Sequence, residues 1–236
     1  MKSNPVFVAI DTPDVAAATT LANTLKDSVG GIKLGLEFFT ACGPAGVDAV
    51  AACGAPLFLD LKLHDIPNTV AGAVRSLSQL RYPPTFLTLH AQGGPAMIAA
   101  AAKVREEAQL PTQLLAVTVL TSLDAQDLTL MGVSASPLDQ VERLGTMAVE
   151  AGADGCVCSP QEVAQLRANL GSGPALMVPG IRPAGSAVGD QKRVMTPAQA
   201  MAAGASHLVI GRPITSAEDP QSAAQAINAE LSNGAG

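Results

Sequence analysis

Residues 58–70 read FLDLKLHDIPNTV. The stretch opens as a buried strand does, with Phe58, Leu59, Leu61 and Leu63, yet it sets Asp60, Lys62 and Asp65 among them. Side chains alternate faces along a strand, so the leucines at 57, 59, 61 and 63 share one side, and Phe58, Asp60 and Lys62 share the other. Leucines suit a face covered by helices. Charges at the C-terminal end of the opposite face suit the mouth of a closed barrel, where barrel enzymes keep their active sites. Asp65 follows at that mouth, with Pro67 stiffening the turn.

Outward from this strand, similar β-rich runs recur with helical stretches between them. They are VFVAI (6–10), GIKLGL (31–36), LFLDLKL (57–63), FLTLHA (86–91), LLAVTVL (114–120), GCVCS (155–159), ALMVPG (175–180) and HLVIG (207–211). The segments between are Ala-rich and amphipathic. Thr12-Pro13, Ser136-Pro137 and Thr196-Pro197 each place a capping hydroxyl before a proline at a helix start, and Gly follows the last apolar turn in AVEAGADG and AMAAGASH. Eight strand-helix units predict an α/β fold, a single (β/α)8 or TIM barrel spanning residues 1–236. A doubly wound open sheet would carry fewer strands and a Gly-rich turn after the first, which is absent.

The same alternation places Phe7, Ala9 and Asp11 on one face of the first strand, and Lys33 between Gly31 and Gly35 on one face of the second. Asp11, Lys33, Asp60, Lys62 and Asp65 are thus expected at one rim. An ion-pair network that merely closed the barrel end would be neutral or unfavourable against apolar packing, so the concentration of charge argues for chemistry. His64 shares the parity of the interior charges but could turn outward where the strand ends. His90 and His207, with no HxH or HExxH spacing, read as structural.

Strand eight ends IGRP, where Gly211 allows close approach to the backbone and Arg212 offers a fork for phosphate oxygens. The long Gly- and Pro-rich connection at 179–197 adds Arg182, Gln191, Lys192 and Arg193. A small phosphate site at the loops after strands seven and eight follows.

Composition narrows the partners. Only 14% of the 236 residues are charged and 48% are hydrophobic, which supports a large core. Net charge is −6 with no basic run, so neither a nucleic-acid groove nor an anionic membrane patch is expected. No signal peptide or transmembrane span is read, which predicts a cytoplasmic protein. Cys42, Cys53, Cys156 and Cys158 lack C-x-x-C spacing and read as buried free thiols.

Taken together, Asp11 in AIDTPD, Lys33 in GIKLGLEFF, DLKLHDIPNT, VTVLTS, PGIRPAG with the following GDQ, and IGRP resemble the orotidine 5′-monophosphate decarboxylase family, the enzymes of the last step in making UMP. The D-x-K-x-x-D core alone is shared with related sugar-phosphate enzymes, whereas DIPNT together with PGIRP and GDQ is more specific. The resemblance implies a homodimer with active sites shared across the interface, using no cofactor and no metal. It implies Lys62 as proton donor, Asp60 beside the departing carboxylate, Asp65 and Thr69 delivered by the neighbouring subunit, and Lys33 with Asp11 at the ribose. Thr121, or else Ser122, would meet the pyrimidine, and Arg182, Gln191, Gly211 and Arg212 would close around phosphate and ring. Two alternatives stay open at this point: a magnesium-dependent enzyme of keto-sugar phosphates sharing the D-x-K-x-x-D core, and a barrel that only senses a nucleotide.

Overall fold

The computed structural model describes residues 4–183 and 195–233. Eight parallel strands close into a barrel in chain order: β1 (Val6–Ile10), β2 (Gly31–Gly35), β3 (Leu57–Leu63), β4 (Phe86–His90), β5 (Gln113–Val117), β6 (Gly155–Val157), β7 (Ala175–Val178) and β8 (His207–Ile210). β8 returns to β1 through the Val6–Leu208, Phe7–Val209 and Val8–Ile210 pairs. Helices follow the strands: α1 (Val15–Leu25), α2 (Leu36–Ala51), α3 (Pro67–Ser76), α4 (Pro95–Glu107), α5 (Ala125–Leu130), α6 (Pro137–Glu150), α7 (Val163–Leu170), α8 (Pro197–Ala202), α9 (Arg212–Thr215) and α10 (Pro220–Asn233). The eight strands fall where the sequence puts them, but six end early, three of them by two residues or more. The run expected to continue to residue 120 leaves the sheet after Val117, Cys158 lies beyond β6, and β7 ends at Val178.

Local chemistry explains the helix starts. Ser136 accepts the Asp139 N–H ahead of Pro137, and Thr196 forms a capping box with Gln199 ahead of Pro197, as expected. At the first helix the expectation is two residues early. Asp14, not Thr12, caps α1, its carboxylate accepting the Ala16 and Ala17 N–H groups, while Thr12 Oγ1 only accepts the Asp14 N–H. A carboxylate facing two free N–H groups and the positive helix end outcompetes a hydroxyl placed before the turn. Gly152 and Gly204 end α6 and α8 with φ of 104° and 109°, a region open to glycine at little cost.

Two apolar layers result. The outer one packs the helices on the barrel and holds Leu57, Leu59 and Leu61 of β3, with Leu63 against it. The inner one holds Phe7, Ala9, Phe58, Phe86, Leu115, Met177 and Val209. Phe7, Phe58 and Phe86 meet edge-on, with ring centroids 5.4 to 6.2 Å apart, and fill the N-terminal half of the barrel. His207 joins them, its ring 5.4 Å from Phe7 and 5.1 Å from Phe86, and burial pushes its pKa down. Gly31 makes room for this floor, since a Cβ there would sit 2.2 Å from the Phe7 ring.

The four cysteines are free, and their burial differs from expectation in two cases. Cys156 and Cys158 are buried, with the Cys156 thiol pushed up to about 12 by burial, but Cys42 and Cys53 are only half-buried. Cys42 stands at the edge of α2, where its Sγ donates to Pro13 O. Among the described residues no helix is long and apolar enough to cross a membrane.

Candidate active site

The polar rim stands directly on the phenylalanine floor. On β1 and β2, Asp11 and Lys33 extend the inward face above Phe7 and beside Ala9, and Lys33 Nζ lies 3.3 Å from Asp11 Oδ1. Lys33 is 8% exposed, so its ammonium is held by carboxylates rather than water. Its second neighbour is Asp60 Oδ2 at 3.7 Å. Asp60 in turn accepts Lys62 Nζ on both oxygens at 2.8 Å. The result is a continuous alternation, Asp11, Lys33, Asp60, Lys62, running across three strands. Gly35 leaves space for it: a Cβ there would lie 3.1 Å from Lys33 Nζ and 3.6 Å from Asp11 Oδ1.

Simple alternation does not carry Lys62 to this position. The β3–β4 register shifts between Leu59 and Leu63, which pair with Leu87 and Leu89, and Lys62 has φ of 48°. A lysine in the left-handed region costs about 1 kcal/mol or more, so other contacts must hold it there. One is visible: Lys62 N–H donates to Thr88 Oγ1 at 2.8 Å, and Thr88 Oγ1 donates to Asp60 Oδ1 at 2.9 Å. Thr88 is fully buried and was not singled out in the sequence, although Phe86, Thr88 and His90 share one parity in FLTLH.

Past the bulge the chain turns outward. His64 is exposed and stacks on His90, centroids 5.2 Å apart at 20°. It does not join the interior charges, because the strand has ended. His90 accepts the Gln92 N–H on Nδ1, and its pKa is lowered by burial first and then by His64 and Lys62. Asp65 is exposed, its carboxylate accepts only the adjacent Ile66 N–H, and it makes no ion pair among the described residues. The rim of one chain therefore gathers four of the five expected charges. Thr69, in the first turn of α3, is likewise exposed and outside the cavity.

That cavity measures about 560 Å³ and opens at the C-terminal ends of the strands. Asp11, Lys33, Asp60 and Lys62 form one side, with Phe58 and Ala9 beneath. Thr121 lines it, whereas the exposed Ser122 does not. The opposite side is Gly180, Arg182, Gly211 and Arg212, joined by Thr215 and Ser216, two hydroxyls the sequence reading passed over. Thr215 is the last residue of the short helix α9 and Ser216 its C-cap, and the helix packs against β1. Gln191, Lys192 and Arg193 lie outside the described residues. Among the described residues no cluster of three or more His, Cys, Asp or Glu side chains is arranged to hold a metal.

An alternation of lysine and aspartate, buried at Lys33 and open to solvent at Asp11, shares the barrel mouth with Arg182 and Arg212. The family model for "Orotidine 5′-phosphate decarboxylase / HUMPS family" matches residues 4–227. The chain belongs to this family. A protein named orotidine 5′-phosphate decarboxylase in Paramagnetospirillum magneticum is 56% identical over 97% of this chain and 98% of its own length. Another of that name in Sphingopyxis alaskensis is 55% identical over 97% of this chain and all of its own length. The crystal structure of orotidine 5′-phosphate decarboxylase from Lactobacillus acidophilus superposes with a TM-score of 0.83 at 37% identity, covering 97% of this chain and 99% of that one. These likenesses span the whole barrel of the orotidine 5′-phosphate decarboxylase family, including both sides of the cavity.

Proposed function

We propose that this chain converts orotidine 5′-monophosphate to UMP and carbon dioxide, the closing step of UMP formation in pyrimidine biosynthesis, without cofactor or metal. The observation that carries the reading is the Lys62 ammonium, held 2.8 Å from both oxygens of Asp60 at the inner wall of the cavity. When the ring carbon–carboxylate bond breaks, its electron pair stays on the ring carbon. A fixed cation beside that carbon stabilises the charge as it grows, and then passes it the Nζ proton. Lys62 is left neutral and regains its proton from solvent. The Asp60 carboxylate holds the Lys62 ammonium in place before the bond breaks, and Lys33 Nζ, 3.7 Å from Asp60 Oδ2, holds that carboxylate from the other side.

The remaining residues take binding roles. Asp11 and Lys33 meet the ribose hydroxyls, Thr121 meets the pyrimidine, and Arg182, Gly211 and Arg212 grip the phosphate, with Gln191 assigned there by the family resemblance alone. Gripping a phosphate remote from the reacting carbon supplies binding energy that holds the ring against the charges.

Asp65 and Thr69 are assigned to the partner's site in a homodimer. Supporting this, Asp65 stands apart from the charges of its own chain, next to Ile66, a large apolar side chain left 66% exposed. A second copy seated there would bury Ile66 and bring Asp65 to a neighbouring lysine.

The test is loss of orotidylate absorbance on adding purified protein in excess EDTA. Turnover to UMP is expected. Activity that vanishes with the chelator and returns with magnesium would point instead to metal-dependent chemistry on the shared D-x-K-x-x-D core, and tight UMP binding without carbon dioxide release would point to a sensor.

A further inference from the structure

We infer that Thr88 is a positioning residue for the decarboxylation, fixing through one hydroxyl both the backbone that carries Lys62 and the carboxylate on which its ammonium rests. This rests on the function proposed above and adds a residue to it.

The polarity of the two hydrogen bonds is forced. A backbone N–H can only donate, so Thr88 Oγ1 accepts from Lys62 N at 2.8 Å. The hydroxyl proton is then free for Asp60 Oδ1, 2.9 Å away. Asp60 Oδ1 also accepts Lys62 Nζ at 2.8 Å. Thr88 Oγ1, Asp60 and Lys62 thus form a closed ring that begins and ends on one lysine, main chain to ammonium.

The bulge explains why the ring is needed. With φ of 48° Lys62 sits where a lysine does not settle unaided, and the register shift in β3 leaves its N–H without a regular ladder partner on β4. Thr88 supplies that partner from the neighbouring strand. Its side chain is fully buried, between the floor residue Phe86 and the His64–His90 stack. A β-branched residue has few rotamers, so the hydroxyl direction is set by packing. Val would fill the same space and lose both hydrogen bonds.

The experiment compares Thr88→Val, Thr88→Ser, Thr88→Ala and Lys62→Ala in melting, UMP binding, and kcat and KM for orotidylate. Thr88→Val is expected to fold and bind UMP close to the parent, with kcat lowered roughly tenfold to a hundredfold, since small misplacements of a reacting group are costly in rate. Thr88→Ser, which keeps the hydroxyl, is expected to recover most of the parental kcat. Should Thr88→Val fail to fold, the Ser and Ala proteins, which differ by the hydroxyl oxygen alone, carry the same comparison. A folded Val or Ala variant with parental kcat overturns the proposal. So does a Ser variant that loses as much kcat as the hydroxyl-free ones, because the loss is then one of packing. An inactive Lys62→Ala beside a fully active Thr88→Val would sink the role of Thr88 alone, whereas a fully active Lys62→Ala would sink the proposed reaction itself.

Discussion

Lys33 is the residue whose surroundings say most about how the site is built. A lysine 8% exposed is tolerable only with carboxylates on either side, and Asp11 and Asp60 come from the two strands flanking its own. Gly35 is part of that arrangement, and Gly35→Ala would set a methyl 3.1 Å from Lys33 Nζ. The expected outcome is a clear loss of kcat/KM with little change in melting temperature, measured on the folded variant; parental kinetics would show that the ion pair tolerates displacement. Three of these charges were legible because β1 and β2 keep strict alternation, so counting by twos from Phe7 and Gly31 reaches Asp11 and Lys33, and the same count reaches Asp60. Lys62 was placed correctly by a count that the strand does not obey there, since the bulge intervenes and Asp60 draws the amine back. Thr88 escaped notice because a single threonine in an apolar strand gives no charge signal. Only its parity with Phe86 marks it.

Among elements, the helix starts show what short motifs can and cannot say. Ser136-Pro137 and Thr196-Pro197 are caps because the hydroxyl immediately precedes the first helical residue. Ser136→Ala should lower stability by about 1 kcal/mol, seen as a fall in melting temperature with kcat unchanged. Thr12→Ala should cost much less than Asp14→Ala, because the Asp14 carboxylate receives the two N–H groups. Equal losses would contradict that assignment. Strand positions were legible from their β-branched and leucine-rich runs, while strand ends were not. In VTVLTS the apolar pattern continues past Val117, and only tertiary geometry shows that the chain has left the sheet to form the cavity wall at Val119, Leu120 and Thr121. The β3–α3 turn was harder still, since the parity rule ends where Lys62 changes the sign of φ, and His64 and Asp65 then face outward.

At the scale of the molecule, the barrel was legible from the count of eight repeats, and the membership of the chain in its family follows from likeness along nearly all of it. The proposed second copy is what one chain's sequence holds least openly. If Asp65 serves a partner's site, Lys62→Ala and Asp65→Ala proteins should each lack activity, and coexpression of the two should restore some of it, because a hybrid dimer contains one site with both residues intact. No recovery in demonstrated hybrids would contradict shared sites. The barrel floor sets a pH dependence of its own. Burial lowers the pKa of His207 below its ordinary 6.5, so the folded state binds fewer protons than the unfolded one as pH falls from that value. Its contribution to stability is complete above the unfolded pKa and is lost progressively on acidification. Melting temperature should therefore fall less between neutral and mildly acidic pH in His207→Phe than in the parent, and identical profiles would remove His207 from the account. The most direct measurement remains carbon dioxide release from orotidylate by folded Lys62→Ala protein in EDTA beside the parent. Turnover lowered about a thousandfold or more, with UMP still bound, is the predicted result; turnover comparable to the parent would contradict it.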